Sequence, residues 1–146
     1  GTFRDIGKAG GGDGVDVSGS DVTISGTRFI RINDKAVSVG EGSTVSARSI
    51  SAEEIGVGAA SKDNSSLEIS DSTISNARNA ALMAYTKKPE YGPARLVAGK
   101  VRITDTATPA QVQKGSRLEL NGDQISTEDL DVKGLYKTIM KPGVSR

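Results

Sequence analysis

The chain has 146 residues, with 19 Lys plus Arg against 18 Asp plus Glu and a formal net charge of +1. It contains no Cys and no His, which excludes a disulfide framework, thiol chemistry, and both the commonest general base and the commonest nitrogen metal ligand. Charges of both signs are interspersed, so the basic footprint of a nucleic-acid binder is missing, and no apolar run approaches the ~18 residues of a membrane span or forms a signal-like apolar region.

Apolar residues make up 35% and aromatics 3% of the chain, with no Trp, and 18 glycines stand against 4 prolines. That balance suits a thin stack of Val, Ile, Leu and Ala with frequent tight turns better than a globular α/β core. In chain order, Thr2-Phe3-Arg4-Asp5-Ile6 matches Arg28-Phe29-Ile30-Arg31-Ile32 in pattern. The chain is therefore expected to begin in mid-coil and to stack on an N-terminal β-helix segment of the same protein or on a partner chain. Gly10-Gly11-Gly12-Asp13-Gly14 is glycine-rich, but no helix pattern follows it, so it reads as a turn and not as a phosphate loop.

A small-apolar motif then recurs as Gly14-Val15-Asp16-Val17, Ala36-Val37-Ser38-Val39, Gly58-Ala59-Ala60-Ser61 and Ala81-Leu82-Met83-Ala84, with starts 22, 22 and 23 residues apart. A second pulse follows each turn: Val22 and Ile24 after Gly19-Ser20, Val45 and Ala47 after Gly42-Ser43, Leu67 and Ile69 after Asn64-Ser65. A third comprises Phe29, Ile50, Ile74 and Val101. Apolar residues alternate within the pulses, the period of a strand with one buried face. A repeat of this length signals a solenoid. The Leu-x-x-Leu-x-Leu and fixed Asn of a leucine-rich repeat are absent. Three short strands in each coil of about 22 residues predict an all-β right-handed parallel β-helix of four to five coils over residues 1–122.

Beyond Tyr85 the repeat loosens. Thr86-Lys87-Lys88-Pro89-Glu90-Tyr91-Gly92-Pro93 is predicted to protrude as a loop. A last strand is expected over Gly115-Ser116-Arg117-Leu118-Glu119-Leu120, with Asn121-Gly122-Asp123 as its turn. Residues 123–146 read as a short capping helix and tail. Thr127 is the expected cap, Glu128 and Asp129 the first-turn acids, and Lys137 and Lys141 the basic end. Leu130, Leu135, Tyr136 and Ile139 make its apolar side and Pro142-Gly143 its stop, while Gly134 weakens it by about 1 kcal/mol.

Residues 1 to about 106 resemble the coils of the pectin-lyase-like superfamily of right-handed parallel β-helices. The strings that carry the resemblance are Gly12-Asp13-Gly14-Val15-Asp16-Val17-Ser18-Gly19-Ser20, Asp34-Lys35-Ala36-Val37-Ser38-Val39-Gly40-Glu41-Gly42-Ser43 and Ser61-Lys62-Asp63-Asn64-Ser65. They are signals of fold and not of one activity, since that superfamily includes polysaccharide lyases, hydrolases, epimerases and surface proteins. The Gly-His-Gly, Asp-Pro-His-Glu and Arg-x-Pro-x-x-Arg patterns of its enzymes are all missing, so the resemblance implies no catalytic residue.

Asp13, Asp16, Asp34, Glu41 and Asp63 fall at turns or outward positions of successive coils. Stacked carboxylates are what Ca²⁺ or a glycoside-cleaving acid/base pair would need. Yet the column of Asp16 continues as Ser38, Ala60 and Met83, so turn punctuation is the preferred reading, with Asp13, Asp16 and Asp34 kept as candidate Ca²⁺ ligands and no other cofactor expected. Lys35, Lys62, Lys87 and Lys88 form a basic ladder beside the first strand of successive coils. It could grip an anionic polysaccharide, although interleaved acids equally suit a solvated face. Tyr85, Lys87, Lys88, Glu90 and Tyr91 are the candidate ligand-binding cluster, with rings to stack on sugars and lysines to meet carboxylates. The plainer alternative is that Tyr85 packs while the loop folds over it. Three functions stay open: a non-catalytic, carbohydrate-binding or structural segment of a secreted or surface protein; part of a polysaccharide lyase or hydrolase whose active site lies largely outside this chain; or an assembly half completed by a partner β-helix.

Overall fold

The computed structural model describes residues 1–8 and 11–140, so Gly10, Lys141 and the Pro142-Gly143 stop lie outside the described residues. In chain order the strands are β1 (Thr2–Ile6), β2 (Val15–Ser18), β3 (Asp21–Ser25), β4 (Arg28–Gly40), β5 (Thr44–Arg48) and β6 (Ser51–Lys62). They continue as β7 (Ser66–Tyr85), β8 (Arg95–Thr104), β9 (Ala110–Val112), β10 (Arg117–Leu120) and β11 (Asp123–Gln124), followed by one helix, α1 (Val132–Lys137). All pair in parallel except β10 with β11, giving a parallel β-solenoid in which a long strand such as β7 turns corners and serves more than one face.

Each face is a stack of the pulses visible in the sequence. On the first, Val15, Val37, Ala59, Leu82 and Ala110 lie in register through five levels. On the second, Val22, Val45, Leu67, Leu96 and Leu118 do the same. The third holds Phe3, Phe29, Ala52, Ile74 and Ile103. Ile50 and Val101, expected on this third face, instead sit at the preceding corner, where both remain buried. The small Ala52 holds the true register position, and its size hid it among larger neighbours. Phe3 stacks on Phe29 with ring centroids 5.3 Å apart, as the match between the two strings predicts. Every level thus shares one apolar column, and each fully buried Val, Leu, Ile or Phe contributes about 1.5–3 kcal/mol.

The corners repeat as well. Asp5, Arg31, Glu54, Asn76 and Asp105 are register-equivalent and all have φ between 51° and 56°. Asp and Asn tolerate this left-handed conformation, whereas Arg31 and Glu54 are held in it by the stack. A second irregularity positions the site: the β4–β6 register slips between Ile32 and Lys35, and the β6–β7 register between Ile55 and Val57. A bulge of this kind re-aims side chains, and here it sets Asp34 and Lys35 at the edge of the first face.

The C-terminal end departs from expectation in where the helix starts. Asn121 and Gly122, at φ 50° and 91°, form the two-residue turn that folds β11 back on β10. The chain then lies along the last coil: the Ile125 N–H donates to the Leu118 carbonyl, the Glu128 N–H to that of Val112, and the Lys114 N–H to that of Glu128. Glu128 is thereby committed to pairing with the last coil and the helix begins only at Val132, so Thr127 is not its cap. The cap is Asp131, whose Oδ1 accepts from the Gly134 N–H at 3.0 Å. A Cβ on Gly134 would collide with that carboxylate, so the glycine that weakens the helix also allows its cap to close. The segment up to Glu128 closes the last coil, and α1 lies against the outer side of the first face. Leu130, Leu135 and Tyr136 pack there as expected, but Ile139 is exposed and Met140 is buried in its place.

Candidate functional site

Strand alternation points Val15, Val17, Val37 and Val39 inward and Asp16, Ser38, Ala60 and Met83 outward on the first face. Outward does not mean exposed here. Ala60 and Met83 are fully buried because residues 130–140 cover them, in a second apolar cluster with Val57, Ala80, Tyr85, Val132 and Met140, and Ser38, the register partner of Ala60, is fully buried as well. The cover stops short of Asp16, which remains exposed. The step between covered and bare sheet leaves a groove.

Two adjoining cavities, of about 240 and 210 Å³, make up that groove and share Asp16, Lys62 and Lys87 as walls. The first is completed by Gly12, Asp13, Asp34, Lys35, Tyr136 and Met140, the second by Ser18, Gly40, Glu41, Asp63 and Lys88. Another cavity of about 240 Å³ opens at a different corner between Asp5, Arg31, Glu54 and Arg78, where Arg31 already pairs with Asp5 and Arg78 donates to the Asn33 carbonyl. It gathers none of the residues singled out from the sequence.

Most charges in the groove have partners. Lys35 is 2% exposed in its side chain and its Nζ lies 3.0 Å from Asp34 Oδ2. Burial alone would depress the Lys35 amine, but Tyr136, Asp34 and Asp13 around it outweigh burial and raise its pKa. Asp34 Oδ1 is buried with no partner. Asp13 accepts the Lys35 N–H at 3.0 Å and is pushed upward, mainly by desolvation. Lys88 Nζ lies 2.5 Å from Glu41 Oε1, and Glu41 also accepts from Ser18, so its carboxyl is held below its ordinary value by these hydrogen bonds. Asp63 is buried and its Oδ1 accepts both the Lys87 and the Lys88 N–H at 2.8 Å.

Lys62 and Lys87 differ: among the described residues neither ammonium has an ion pair or hydrogen bond. Lys62 is largely enclosed, and desolvation first, then the charge of Lys35, depress its pKa. Lys87 Nζ stands 4.3 Å from the Tyr136 ring centroid, within cation–π range.

Of the residues predicted from sequence, Asp13, Asp16, Asp34, Lys87 and Lys88 do converge on the groove, together with Lys35 and Lys62. Tyr85 does not face it as a sugar platform. Its ring is fully buried, and its hydroxyl pairs with that of Tyr136 at 2.7 Å, because the C-terminal segment closes over it. Burial and Tyr136 push the Tyr85 phenol well up. Glu90 and Tyr91 are exposed but line neither cavity. The loop that carries them does not stand free: Asp63 pins its start, and Thr86 Oγ1 donates to the Gly92 carbonyl at 2.9 Å. Among the described residues no three carboxylates gather as metal ligands, and Asp13 and Asp34 are occupied by Lys35. Sequence reasoning missed Tyr136 as a wall and Asp63 as an anchor. For Asp63 a signal existed, since one coil of 22 residues carries it to Tyr85, beside the loop.

Comparison of the chain with protein-family models, curated proteins and solved structures finds no match.

Proposed function

We propose that this chain is a non-catalytic β-solenoid segment of a secreted or surface protein and that it binds carbohydrate through the groove beside α1. The observation that carries this reading is the convergence of Asp16, Lys62, Lys87 and Tyr136 on one open groove of a rigid scaffold. Carboxylate and ammonium groups suit the hydroxyls and acidic groups of a glycan, and the half-buried Tyr136 ring supplies an apolar wall. The resemblance to pectin-lyase-like coils points the same way. Glycan-array and calorimetric binding tests this reading: Lys87→Ala and Tyr136→Ala should each abolish or strongly weaken binding while circular dichroism stays unchanged. Unaltered binding in both variants would remove the groove from consideration.

One observation favours a catalytic second reading. Lys62 is depressed and Asp13 raised in the same groove, and paired perturbations of that kind mark acid/base sites. Turnover of a polysaccharide by the protein, lost in Lys62→Met, would decide for it.

A further inference from the structure

We infer that Lys62 and Lys87 together form a seat for one anionic group of the ligand, so that the groove selects acidic over neutral glycans. This rests on the groove being the glycan site proposed above, and it adds the ligand's charge class and the two atoms that read it.

The inference follows from pairing the charges. Lys35 is taken by Asp34, Lys88 by Glu41, and Oδ1 of Asp63 by two backbone N–H groups. Lys62 and Lys87 remain, and they are walls of both cavities. An enclosed ammonium that makes no ion pair or hydrogen bond among the described residues is costly, and an incoming anion would relieve that cost. Desolvation first, then the charges of Lys35 and Lys87, weaken the protonation of Lys62, and Asp16 and Asp13 offset them only in part.

The two amines are also placed in advance. A Cβ on Gly40 would come within 3.2 Å of Lys62 Cε, so the bare glycine is the bed on which that side chain lies. Lys87 is fixed at its backbone by Asp63 and at its head by the Tyr136 ring. Preorganised cations lose little freedom on binding, which favours affinity. Two ammonium groups facing one site are point-charge donors matched to a carboxylate or a sulfate ester. Asp16, the exposed acid of the groove, is left to accept hydroxyls from the same sugar chain.

The test is calorimetry with four probes: oligogalacturonate, its fully methyl-esterified form, a sulfated dextran oligosaccharide and plain dextran oligosaccharide. Wild-type protein should bind one or both acidic probes at least about tenfold more tightly than the neutral partner, with affinity falling as salt rises. The carboxylate and sulfate arms identify which group is read. Lys62→Met and Lys87→Met should each lose about tenfold or more for the acidic probe, and Lys88→Met far less. Equal binding of acidic and neutral probes overturns the anion seat but leaves carbohydrate binding standing; binding of none overturns both. If a lysine variant fails to fold, the preference for acidic over neutral probes in wild-type protein still decides.

Discussion

Removing Lys35 alone should damage the fold more than removing Lys35 and its partner together. Its side chain is 2% exposed against 12% for Asp34, and Asp34 already keeps one carboxylate oxygen buried and unpartnered. Lys35→Met preserves the stem and deletes the charge, stranding a carboxylate beneath the Asp13 turn. Breaking a buried pair from one side costs about 3–5 kcal/mol. The lower half of that range applies, because Asp34 lies on the wall of an open groove and can recruit water there. Asp34→Asn combined with Lys35→Met removes both charges from a site whose backbone stays clamped, since Asp34 and its carbonyl lie over Gly56 with no room for a side chain. The double variant should cost no more than about 1.5 kcal/mol, which implies a coupling of roughly 2 kcal/mol across the pair. Urea denaturation of the wild type, both singles and the double gives this directly. Additive losses, with coupling below about 0.5 kcal/mol, would refute the claim that the pair is desolvated and mutually dependent.

Lys62→Met should raise stability at neutral pH. Because the folded pKa of Lys62 lies below the ordinary 10.5, the unfolded chain binds more protons between the two values, and stability rises with pH in that window. The variant should lose this rise relative to wild type in urea titrations at pH 7, 9 and 10; an identical slope would contradict the burial of the amine. Gly58→Ala should cost about 1–3 kcal/mol or more, because the new Cβ would sit 2.5 Å from the Ala81 carbonyl and 2.8 Å from Ile74 Cδ1. Its thermal midpoint should fall clearly, and an unchanged value would mean that the coils can separate locally. Glu54→Gly, at an exposed corner with φ of 55°, should be neutral or stabilising by up to about 1 kcal/mol, and a loss would show that Glu54 makes contacts beyond its backbone. Tyr85→Phe should cost about 1 kcal/mol through its lost hydroxyl pair while glycan binding persists; loss of binding would show that the hydroxyl pair holds Tyr136 in its binding position.

The coils were readable in the sequence because parallel stacking forces register-equivalent positions to share size and polarity. Val15, Val37, Ala59 and Leu82 are one column in the string and one column in space. The reading slipped where size stopped reporting burial, as at Ala52, which no apolar pulse betrays. It slipped again at the helix start, because Glu128 pairs with Val112 and Lys114 through its backbone, and main-chain pairing leaves no trace in residue type. The packing of Tyr85 was one of the two readings that the sequence offered, but the residue that covers it was not legible. Its neighbour Tyr136 is 51 residues away, outside any repeat, and the repeat is what made distant residues predictable.

The same contrast explains why the groove stands where it does. A solenoid face by itself is flat and repeats every coil, so it gives a ligand no single place to prefer. The sequence breaks that symmetry twice on the first face. The bulge between Ile32 and Lys35 turns a charged pair into the sheet edge, and the C-terminal segment buries the outward Ala60 and Met83 but leaves Asp16 bare. Ser38, on the same outward row, keeps its hydroxyl buried without a partner. Among the described residues, the two buried side-chain oxygens without a partner, Ser38 Oγ and Asp34 Oδ1, both belong to the strand that forms this face, and the enclosed Lys62 shares the groove with Asp34. Such concentration is expected where a rigid scaffold holds groups in place for a ligand, and it singles out the groove from the rest of the surface.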